Sequence, residues 1–402
     1  MRNLGRTDDK KHPIGDGSIC GAALYVSADA GCVMAGGVLG APSPVPDIPD
    51  VYLVIYAHGA GRPLSGSGRF DAQTGQSWPP GGRDRAVLPD SSAQVSARRV
   101  TPSAAPGAVP DEPEWKLGEW KAGEWKLGEW RASWTPGEHA RAVRRVRDAI
   151  GRGDVYQANV VGHASAPYTG DPAAALLRVA GLPGARYGGV LNGLGRSGAW
   201  ALATASPETL VEVRGGRVVT RPIKGTRPAT AAGRRELLAS AKERAEHVMI
   251  VDLERNDLAR LPGTGPVRVD ELFAVREWCG LWQAESEVSA SLDGDVGLAD
   301  LLRAVCPGGS VTGAPKLAAL AEIAALEPVG RGVSMGALGW IGRDHLDLGL
   351  TIRTVATDGE RVHAWAGGGI TADSDPEAEV AEAASKAGPL RSALAGPITA
   401  RS

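Results

Sequence analysis

Strand-like and helix-like segments do not alternate along this chain, and their order limits the fold more than any other feature. Four strand-like segments follow one another between residues 188 and 223, before a long helix-like stretch at about 232–261. Gly215 and Gly216, between two apolar runs, are typical of a β-hairpin turn. A doubly wound parallel sheet requires strands and helices in alternation. The pattern therefore predicts an α+β fold, with antiparallel sheets and helices packed outside them.

The chain divides near residue 132 into two parts of different composition. Residues 1–131 are rich in Gly, Pro, Ala and Ser, with one clear strand at 51–56. This part ends in a five-residue repeat (EWKLG, EWKAG, EWKLG, EWRAS). A period of five fits neither a helix nor a strand. We predict a linker at about 114–131, with a tryptophan-lined contact surface as the alternative, and a main folded domain over 132–396.

Charge and apolar content exclude several classes of protein. The 44 Lys and Arg residues nearly balance the 46 Asp and Glu residues, which argues against a nucleic-acid partner. No apolar run approaches the roughly 20 residues of a membrane span. The first 17 residues are charged with no apolar segment behind them, which is not typical of a signal peptide. The four cysteines form no CxxC pair, so we expect reduced thiols in a cytoplasmic protein.

Two pairs of glutamates could hold a metal ion. Glu243 and Glu246 are three residues apart in one helix-like segment, and Glu379 and Glu382 are three apart in another. Residues at this spacing share a helix face. Two such faces meeting at one point would suit Mg²⁺, which prefers carboxylates and water. The alternative is two solvated helix faces neutralised by nearby Arg and Lys.

Two glycine-rich segments could bind anions. Gly367, Gly368 and Gly369 follow a strand-like segment and precede a helix-like one, where backbone N–H groups can approach an anion; a plain tight turn is the alternative. CPGGSVTGAPK (306–316) lacks the Gly-Lys-Ser/Thr of a nucleotide-binding loop. Thr312 and the N–H groups around Gly313 could still bind a carboxylate at the start of the next helix.

A lysine and a glutamate stand near predicted strand ends. Lys224, in PIKGT, is predicted to end a strand just before a glycine turn. Such a lysine is usually solvated, and it would be a nucleophile only if burial or nearby cations lowered its pKa. Glu208, in SPE, starts the preceding hairpin, and its position alone indicates no role.

Seven segments occur in an order that resembles one known family. They are GDVYQAN (153–159), SPETL (206–210), PIKGTRP (222–228), AEHVMIVDLERNDLARL (245–261), PGGSVTGAPK (307–316), LTIRT (350–354) and AGGGITADSDPEAE (366–379). Together they resemble the chorismate-binding enzymes, which include anthranilate, aminodeoxychorismate, isochorismate and salicylate synthases. The resemblance covers about residues 133–394. It implies a single large α+β domain with two antiparallel sheets packed face to face.

Three of these segments resemble the aminodeoxychorismate branch. PIKGT carries a lysine where anthranilate synthases typically carry alanine, and GGSVTGAPK and YQAN are similar to the same branch. This implies amination of chorismate at C4, giving 4-amino-4-deoxychorismate for p-aminobenzoate and folate synthesis or an antibiotic pathway. Since no cysteine stands in a GxCxG context, ammonia would come from a separate glutamine amidotransferase. The alternatives are an anthranilate synthase or another chorismate-using synthase, and an inactive chorismate-binding subunit.

The resemblance also implies roles for individual residues. Glu246 and Glu382 would ligate Mg²⁺, and Glu243 and Glu379 would hold it through water. Lys224 would attack C2 of chorismate, and Glu208 would protonate the departing C4 hydroxyl, which is otherwise a poor leaving group. The residues that match substrate-binding positions are Thr312, Gly313, Arg353, Lys386 and Gly367–Gly369.

The sequence departs from the family pattern at two positions that bear on activity. Gln283 stands where many members carry an active-site histidine, and we predict that it contacts the substrate. Ser334 stands where an aromatic residue is usual. These two departures motivate the alternative of an inactive binding subunit.

Overall fold

The computed structural model describes residues 19–57, 125–278, 280–292, 296–342 and 344–396. The strands in these ranges are β1 (Ile19–Val26), β2 (Val51–Ala57), β3 (Lys126–Leu127), β4 (Arg131–Ala132), β5 (Gln157–Thr169), β6 (Tyr187–Leu194), β7 (Ala199–Ser206), β8 (Thr209–Arg214), β9 (Arg217–Arg221), β10 (Ile223–Pro228), β11 (Arg268–Trp278), β12 (Leu281–Ser291), β13 (Gly313–Ala314), β14 (Ala337–Gly342), β15 (His345–Leu350), β16 (Thr354–Thr357) and β17 (Arg361–Ile370). The helices are α1 (Ala28–Ala35), α2 (Pro136–Arg152), α3 (Ala173–Ala180), α4 (Ala231–Ala239), α5 (Ala241–Ala259), α6 (Leu298–Val305), α7 (Lys316–Leu326) and α8 (Pro376–Ala395), with a short 3₁₀ turn at Gly309–Val311.

The described strands form two antiparallel sheets. The first has the order β10-β12-β9-β8-β15-β14-β1-β2, with β11 also paired to β12. The second has the order β13-β5-β17-β16-β7-β6, with β3 and β4 also paired to β5. Every paired register is antiparallel, as between Gly368 of β17 and Val160 of β5. The predicted α+β fold with two antiparallel sheets is confirmed.

The main core lies between the two sheets. One buried cluster contains Leu24, Val211 and Leu348 from the first sheet together with Leu202 and Trp365 from the second. Antiparallel strands with one buried face pack in this way, because alternate side chains point into the shared interior. Among the described residues, no helix combines the length and apolar character needed to cross a lipid bilayer.

The N-terminal part contributes to this core rather than standing apart from it. Strand β1 pairs with β14, with Leu24 opposite Gly339, and it also pairs with β2. The predicted strand at 51–56 is therefore confirmed as β2. The compositional boundary near residue 132 does not separate two cores. Residues 1–18 and 58–124, including Trp115 and Trp120, lie outside the described residues.

The end of the tryptophan repeat is part of the fold, so the linker predicted over 114–131 is wrong for its last residues. Trp125 is 8% exposed, and its indole N–H donates to the carbonyl oxygen of Leu394 at 2.8 Å. The guanidinium of Arg391 lies 5.1 Å from the centre of the Trp130 ring. The repeat thus contacts α8, because a large apolar ring beside a helix is more stable buried than in a solvated linker.

The stretch predicted as one helix at about 232–261 is two helices joined at Ser240. This residue has extended backbone angles (φ −72°, ψ 106°), and its hydroxyl accepts a hydrogen bond from the N–H of Glu243 at 3.2 Å. Serine is favoured at helix starts for this reason. The break places Glu243 in the first turn of α5.

Candidate active site

Lys224 lies within a strand and is not at a strand end as predicted. Pro222 separates β9 from β10, and Lys224 is the second residue of β10, opposite Ala284 of β12. Gly225 follows with φ +71°, in a register shift of the ladder. Glycine adopts this left-handed angle without strain, and an irregularity of this kind re-aims the neighbouring side chain.

The amine of Lys224 points into the protein, where it meets residues from several elements. Its Nζ donates to the carbonyl oxygen of Ser310 at 3.2 Å. Burial lowers the pKa of the Lys224 amine, although the carboxylates of Glu246 and Glu208 oppose the shift. Burial favours the neutral amine, which is the nucleophilic form. The condition for a nucleophilic lysine is therefore met by position and surroundings.

Glu208 lies on the turn between β7 and β8 and is 4% exposed. Its carboxylate accepts hydrogen bonds from the hydroxyl of Ser310 at 2.5 Å and from the N–H of Ile223 at 3.3 Å. Burial raises the pKa of Glu208 to about 7, although the Ser310 bond and the Lys224 charge lower it. A carboxyl group that keeps its proton near neutral pH can act as a general acid.

The four glutamates predicted to hold a metal lie in the first two turns of two helices. Glu243 and Glu246 belong to α5, and Glu379 and Glu382 belong to α8. The start of α8 is capped by Asp375, whose side chain accepts from the N–H of Ala378 at 2.8 Å. A helix start stabilises negative charge through its free N–H groups and its dipole.

Glu379 and Glu382 of α8 share one space beside β17. A Cβ placed on Gly368 would lie 3.1 Å from Glu379 Oε2 and 3.9 Å from Glu382 Oε1, so only glycine leaves room for both carboxylates. Glu246 lies near the C-terminal end of β17, where the hydroxyl of Thr371 donates to its Oε1 at 3.2 Å. Metal binding by the four glutamates stays a prediction.

Each of these carboxylates has a partner of its own. Ser374 donates its hydroxyl to Glu379 at 2.7 Å, the Lys386 amine lies 2.6 Å from Glu382, and Arg227 lies 3.1 Å from Glu243. Within the described ranges, no group of three or more His, Cys, Asp or Glu side chains is arranged to hold a metal ion. Oxygen donors facing the space above Gly368 nevertheless match the ligand chemistry of Mg²⁺.

Two cations predicted to bind substrate carboxylates are close to each other. Arg353 is 7% exposed, and its guanidinium donates to the carbonyl oxygen of Lys386 at 2.5 Å. Lys386 donates in turn to the carbonyl oxygen of Gly367 at 3.0 Å. Arg353 has φ +51°, an uncommon angle for a residue with a side chain. The fold therefore brings the segment between β15 and β16, strand β17 and helix α8 together around these two cations.

The glycines at 367–369 lie inside β17 and are not the turn that the sequence predicted. Gly367, Gly368 and Gly369 pair with Val161, Val160 and Asn159 of β5. A Cβ on Gly369 would lie 2.8 Å from Lys224 Nζ and would also meet the side chain of Gln157. The absence of a side chain at Gly369 lets these two side chains approach the strand closely, while the backbone of the three glycines pairs with β5.

Thr312 and Gly313 belong to the loop that carries Ser310. The hydroxyl of Thr312 donates to the carbonyl oxygen of Gly308 at 2.8 Å, so its hydrogen is already used within the loop. Gly313 has φ +150° and pairs with Ala158 of β5. Gln283 is buried on β12 opposite Thr226, one strand from Lys224. Substrate contact by these three residues stays a prediction.

A comparison with known families agrees with this geometry. The sequence profile of the chorismate binding enzyme family matches residues 7–392. The chain belongs to this family. The match includes β1 and β2, which lie outside the segments that carried the resemblance.

Relatives of this chain include two kinds of synthase component. The anthranilate synthase component 1 of Streptomyces coelicolor is 38% identical over 270 residues, which cover 65% of this chain and 52% of that protein. The aminodeoxychorismate synthase component 1 of Klebsiella aerogenes is 38% identical over 259 residues, which cover 63% of this chain and 56% of that protein. The chain thus matches only a little over half the length of these curated relatives.

A solved structure shows the same fold. The anthranilate synthase component I from Streptococcus pneumoniae TIGR4 superimposes with a TM-score of 0.66 and 24% identity, covering 96% of this chain and 83% of that chain. At this identity the likeness concerns the fold alone. The two packed antiparallel sheets of this family member are therefore shared with a chorismate-using enzyme.

Three polar residues of the site were not predicted from the sequence. Ser310 connects Lys224 and Glu208, and Gln157 and Asn159 lie on the strand next to Gly369. All three lie in segments that carried the resemblance, so the signal was present. It could not be interpreted because only the fold shows which side chains of GDVYQAN and PGGSVTGAPK point toward the lysine.

Proposed function

We propose that this protein aminates chorismate at C4 to give 4-amino-4-deoxychorismate. The observation that carries the proposal is the partly buried amine of Lys224, joined through Ser310 to the carboxyl group of Glu208. A nucleophile and an acid held in one site can divide a difficult displacement into two easier steps. Relatives with 38% identity include an aminodeoxychorismate synthase component 1, which supports this choice.

In the first step the neutral Lys224 amine forms a bond to C2 of the ring. The two conjugated ring double bonds shift, the C4–O bond breaks, and Glu208 donates its proton so that water leaves. In the second step ammonia forms a bond to C4, both double bonds return to their original positions, and the C2–N bond breaks to release Lys224. The new ammonium group passes a proton back to Glu208. Atoms and charges then balance as chorismate plus ammonia giving aminodeoxychorismate plus water.

The substrate carries two carboxylates, and the site provides cations for them. Arg353 and Lys386 lie at one end of the site, and their charges would compensate the loss of hydration of a dianion. Glu208 is buried and Lys224 is partly buried, so the protein limits the access of water to the reacting atoms.

We include Mg²⁺ in the proposal because the carboxylates around Gly368 fit its preference for oxygen ligands. Glu246 and Glu382 would bind it directly, and Glu243 and Glu379 would hold it through water. Once bound, the cation would supply positive charge to the ring carboxylate of the substrate and fix the orientation of the ring.

A separate glutamine amidotransferase is the proposed source of ammonia. Relatives named component 1 imply a second component, and this supports the proposal. With this chain alone, we expect ammonium salts to support turnover and glutamine to fail.

The test is product analysis with chorismate, MgCl₂ and ammonium chloride. Formation of 4-amino-4-deoxychorismate, detected by mass spectrometry, supports the proposal, and omission of ammonium should abolish it. Formation of anthranilate would assign the chain to the other branch of its relatives. Chorismate binding by calorimetry without any turnover would identify an inactive binding subunit.

A further inference from the structure

Two buried carboxamides near Lys224 carry polar atoms that lack partners. Gln157 is fully buried, and neither its Nε2 nor its Oε1 has a hydrogen-bond partner among the described residues. Asn159 is 6% exposed, and its Oδ1 also lacks a partner within the part of the chain that the structure describes. A buried polar group without a hydrogen-bond partner destabilises the folded state. A bound group that forms the missing hydrogen bonds would remove this cost.

Both carboxamides are close to the catalytic lysine. Gln157 and Asn159 are two residues apart on β5, so their side chains lie on the same face of the sheet. Asn159 pairs with Gly369 of β17, and a Cβ on that glycine would meet Gln157 Nε2 and lie 2.8 Å from Lys224 Nζ. The absence of a side chain at Gly369 therefore leaves space in which the Gln157 amide and the Lys224 amine are neighbours.

The orientation of the Asn159 amide follows from its partner. Its Nδ2 lies 3.2 Å from the carbonyl oxygen of Ser310, and that same oxygen accepts from Lys224 Nζ at 3.2 Å. Since a carbonyl oxygen can only accept, the nitrogen of the amide must face it. Oδ1 therefore faces away from Ser310, and it is an acceptor without a partner among the described residues.

We propose that Gln157 and Asn159 bind the incoming ammonia through their amide oxygens, the Gln157 amide after a half-turn that breaks no hydrogen bond, an inference that rests on the amination proposed above. C4, which ammonia attacks, is separated by one ring carbon from C2, which Lys224 attacks. Ammonia must therefore approach within a few ångströms of the lysine. Neutral ammonia has three N–H donors and one lone pair, so two amide oxygens can accept hydrogens and leave the lone pair free.

The chemistry of an amide suits this ligand better than the alternatives at the site. Chorismate carboxylates only accept hydrogen bonds, and the cations Arg353 and Lys386 serve them. A carboxylate in place of these amides would favour ammonium, which has no lone pair to attack with. Neutral oxygens bind ammonia without this penalty.

The test is a comparison of two Michaelis constants in the full-length chain with Mg²⁺. Gln157→Met keeps the volume and removes both polar atoms, and Asn159→Ala removes the second oxygen. Each variant should raise the KM for ammonia about tenfold, as expected for one lost hydrogen bond, while the KM for chorismate changes much less. Ammonium chloride is varied at two pH values so that the KM can be assigned to NH₃.

Ser165→Ala is the control, because Ser165 lies on the same strand and bonds Arg361 outside the site. It should leave both constants unchanged. If Gln157→Met does not fold, Gln157→Asn, which shortens the side chain by one methylene group, takes its place with the same expectation.

The outcomes separate this inference from the proposed function. Ammonium-dependent product from the wild type with unchanged ammonia KM in both variants leaves amination standing and overturns the ammonia site. An equal rise in the KM for chorismate would also overturn it, by assigning the amides to that substrate. A wild type that forms no aminated product removes the proposed amination, and the ammonia site with it.

Discussion

Lys224 and Glu208 are held by opposite ends of one residue. The carbonyl oxygen of Ser310 accepts from the Lys224 amine at 3.2 Å, and its hydroxyl donates to the Glu208 carboxylate at 2.5 Å. Ser310 lies in the 3₁₀ turn at Gly309–Val311, so the turn positions the proposed nucleophile and acid relative to each other. The fold therefore joins groups that are 16 residues apart in sequence through a residue far from both.

Replacing Lys224 should abolish covalent catalysis without disturbing the fold of the acidic site. Lys224→Ala should lower kcat by on the order of a thousandfold or more, because no other amine occupies its place. Mg²⁺ binding, measured by calorimetry, should be retained. Near wild-type amination in this variant would contradict a nucleophilic role for the lysine.

The pH dependence of activity should follow the proton on Glu208. A general acid works only when protonated, and the pKa of Glu208 is raised to about 7, so kcat should fall as the pH rises above about 7. Ser310→Ala removes a hydrogen bond that stabilises the carboxylate, so it should move this fall to higher pH. The measurement is a pH profile of kcat for both proteins.

Ser289→Ala is the matched control for that profile, since Ser289 bonds Asp270 outside the site. Its pH profile should overlay that of the wild type. A Ser310→Ala profile that falls at lower pH than the wild type would show that the serine does not act on the acid in this way.

The space beside Gly368 should be sensitive to a single methyl group. Gly368→Ala would place a Cβ 3.1 Å from Glu379 Oε2, so the carboxylate must move, and the Mg²⁺ concentration for half-maximal activity should rise about tenfold. Gly388→Ala in α8 is the control, because its Cβ would meet nothing within 4 Å and alanine favours helix. Equal Mg²⁺ requirements in the two variants would argue against a metal at this position.

Trp125 should contribute strongly to stability although it lies in a repeat. Trp125→Ala removes a buried ring that packs on Tyr168 and bonds Leu394, and it should lower the free energy of unfolding by about 3–5 kcal/mol. Trp130→Ala should lower it much less, because that ring is only partly buried. Urea denaturation of both variants measures these losses in the free energy of unfolding. Similar losses in the two variants would contradict the larger contribution expected of Trp125.

The local pattern of the sequence predicted a large part of the architecture. The Gly215–Gly216 hairpin was predicted, because turn residues act over a few neighbouring positions. Strands β11 and β12 were missed. Charged residues occur along β11, and shifts in its register between Val269 and Ala274 break the alternation that identifies a strand.

The wrong predictions share a physical cause. A new strand starts after Pro222 because β12 offers a pairing partner for the residues that follow, and Gly367–Gly369 remain extended because β5 offers one for them. Trp125 leaves the predicted linker because α8 offers a surface for its ring. In each case a segment distant in sequence supplies hydrogen bonds or apolar contacts that outweigh the local conformational preference of the chain.

By itself, the sequence determined the family, the α+β class and the identity of the residues able to do the chemistry, because these depend on residue types in a given order. Only the tertiary structure decided that the Lys224 amine points inward, that Ser310 joins it to Glu208, and that two carboxamides beside it lack partners among the described residues. Burial and hydrogen bonding are set by segments that meet in space, and no local pattern along the chain contains that information.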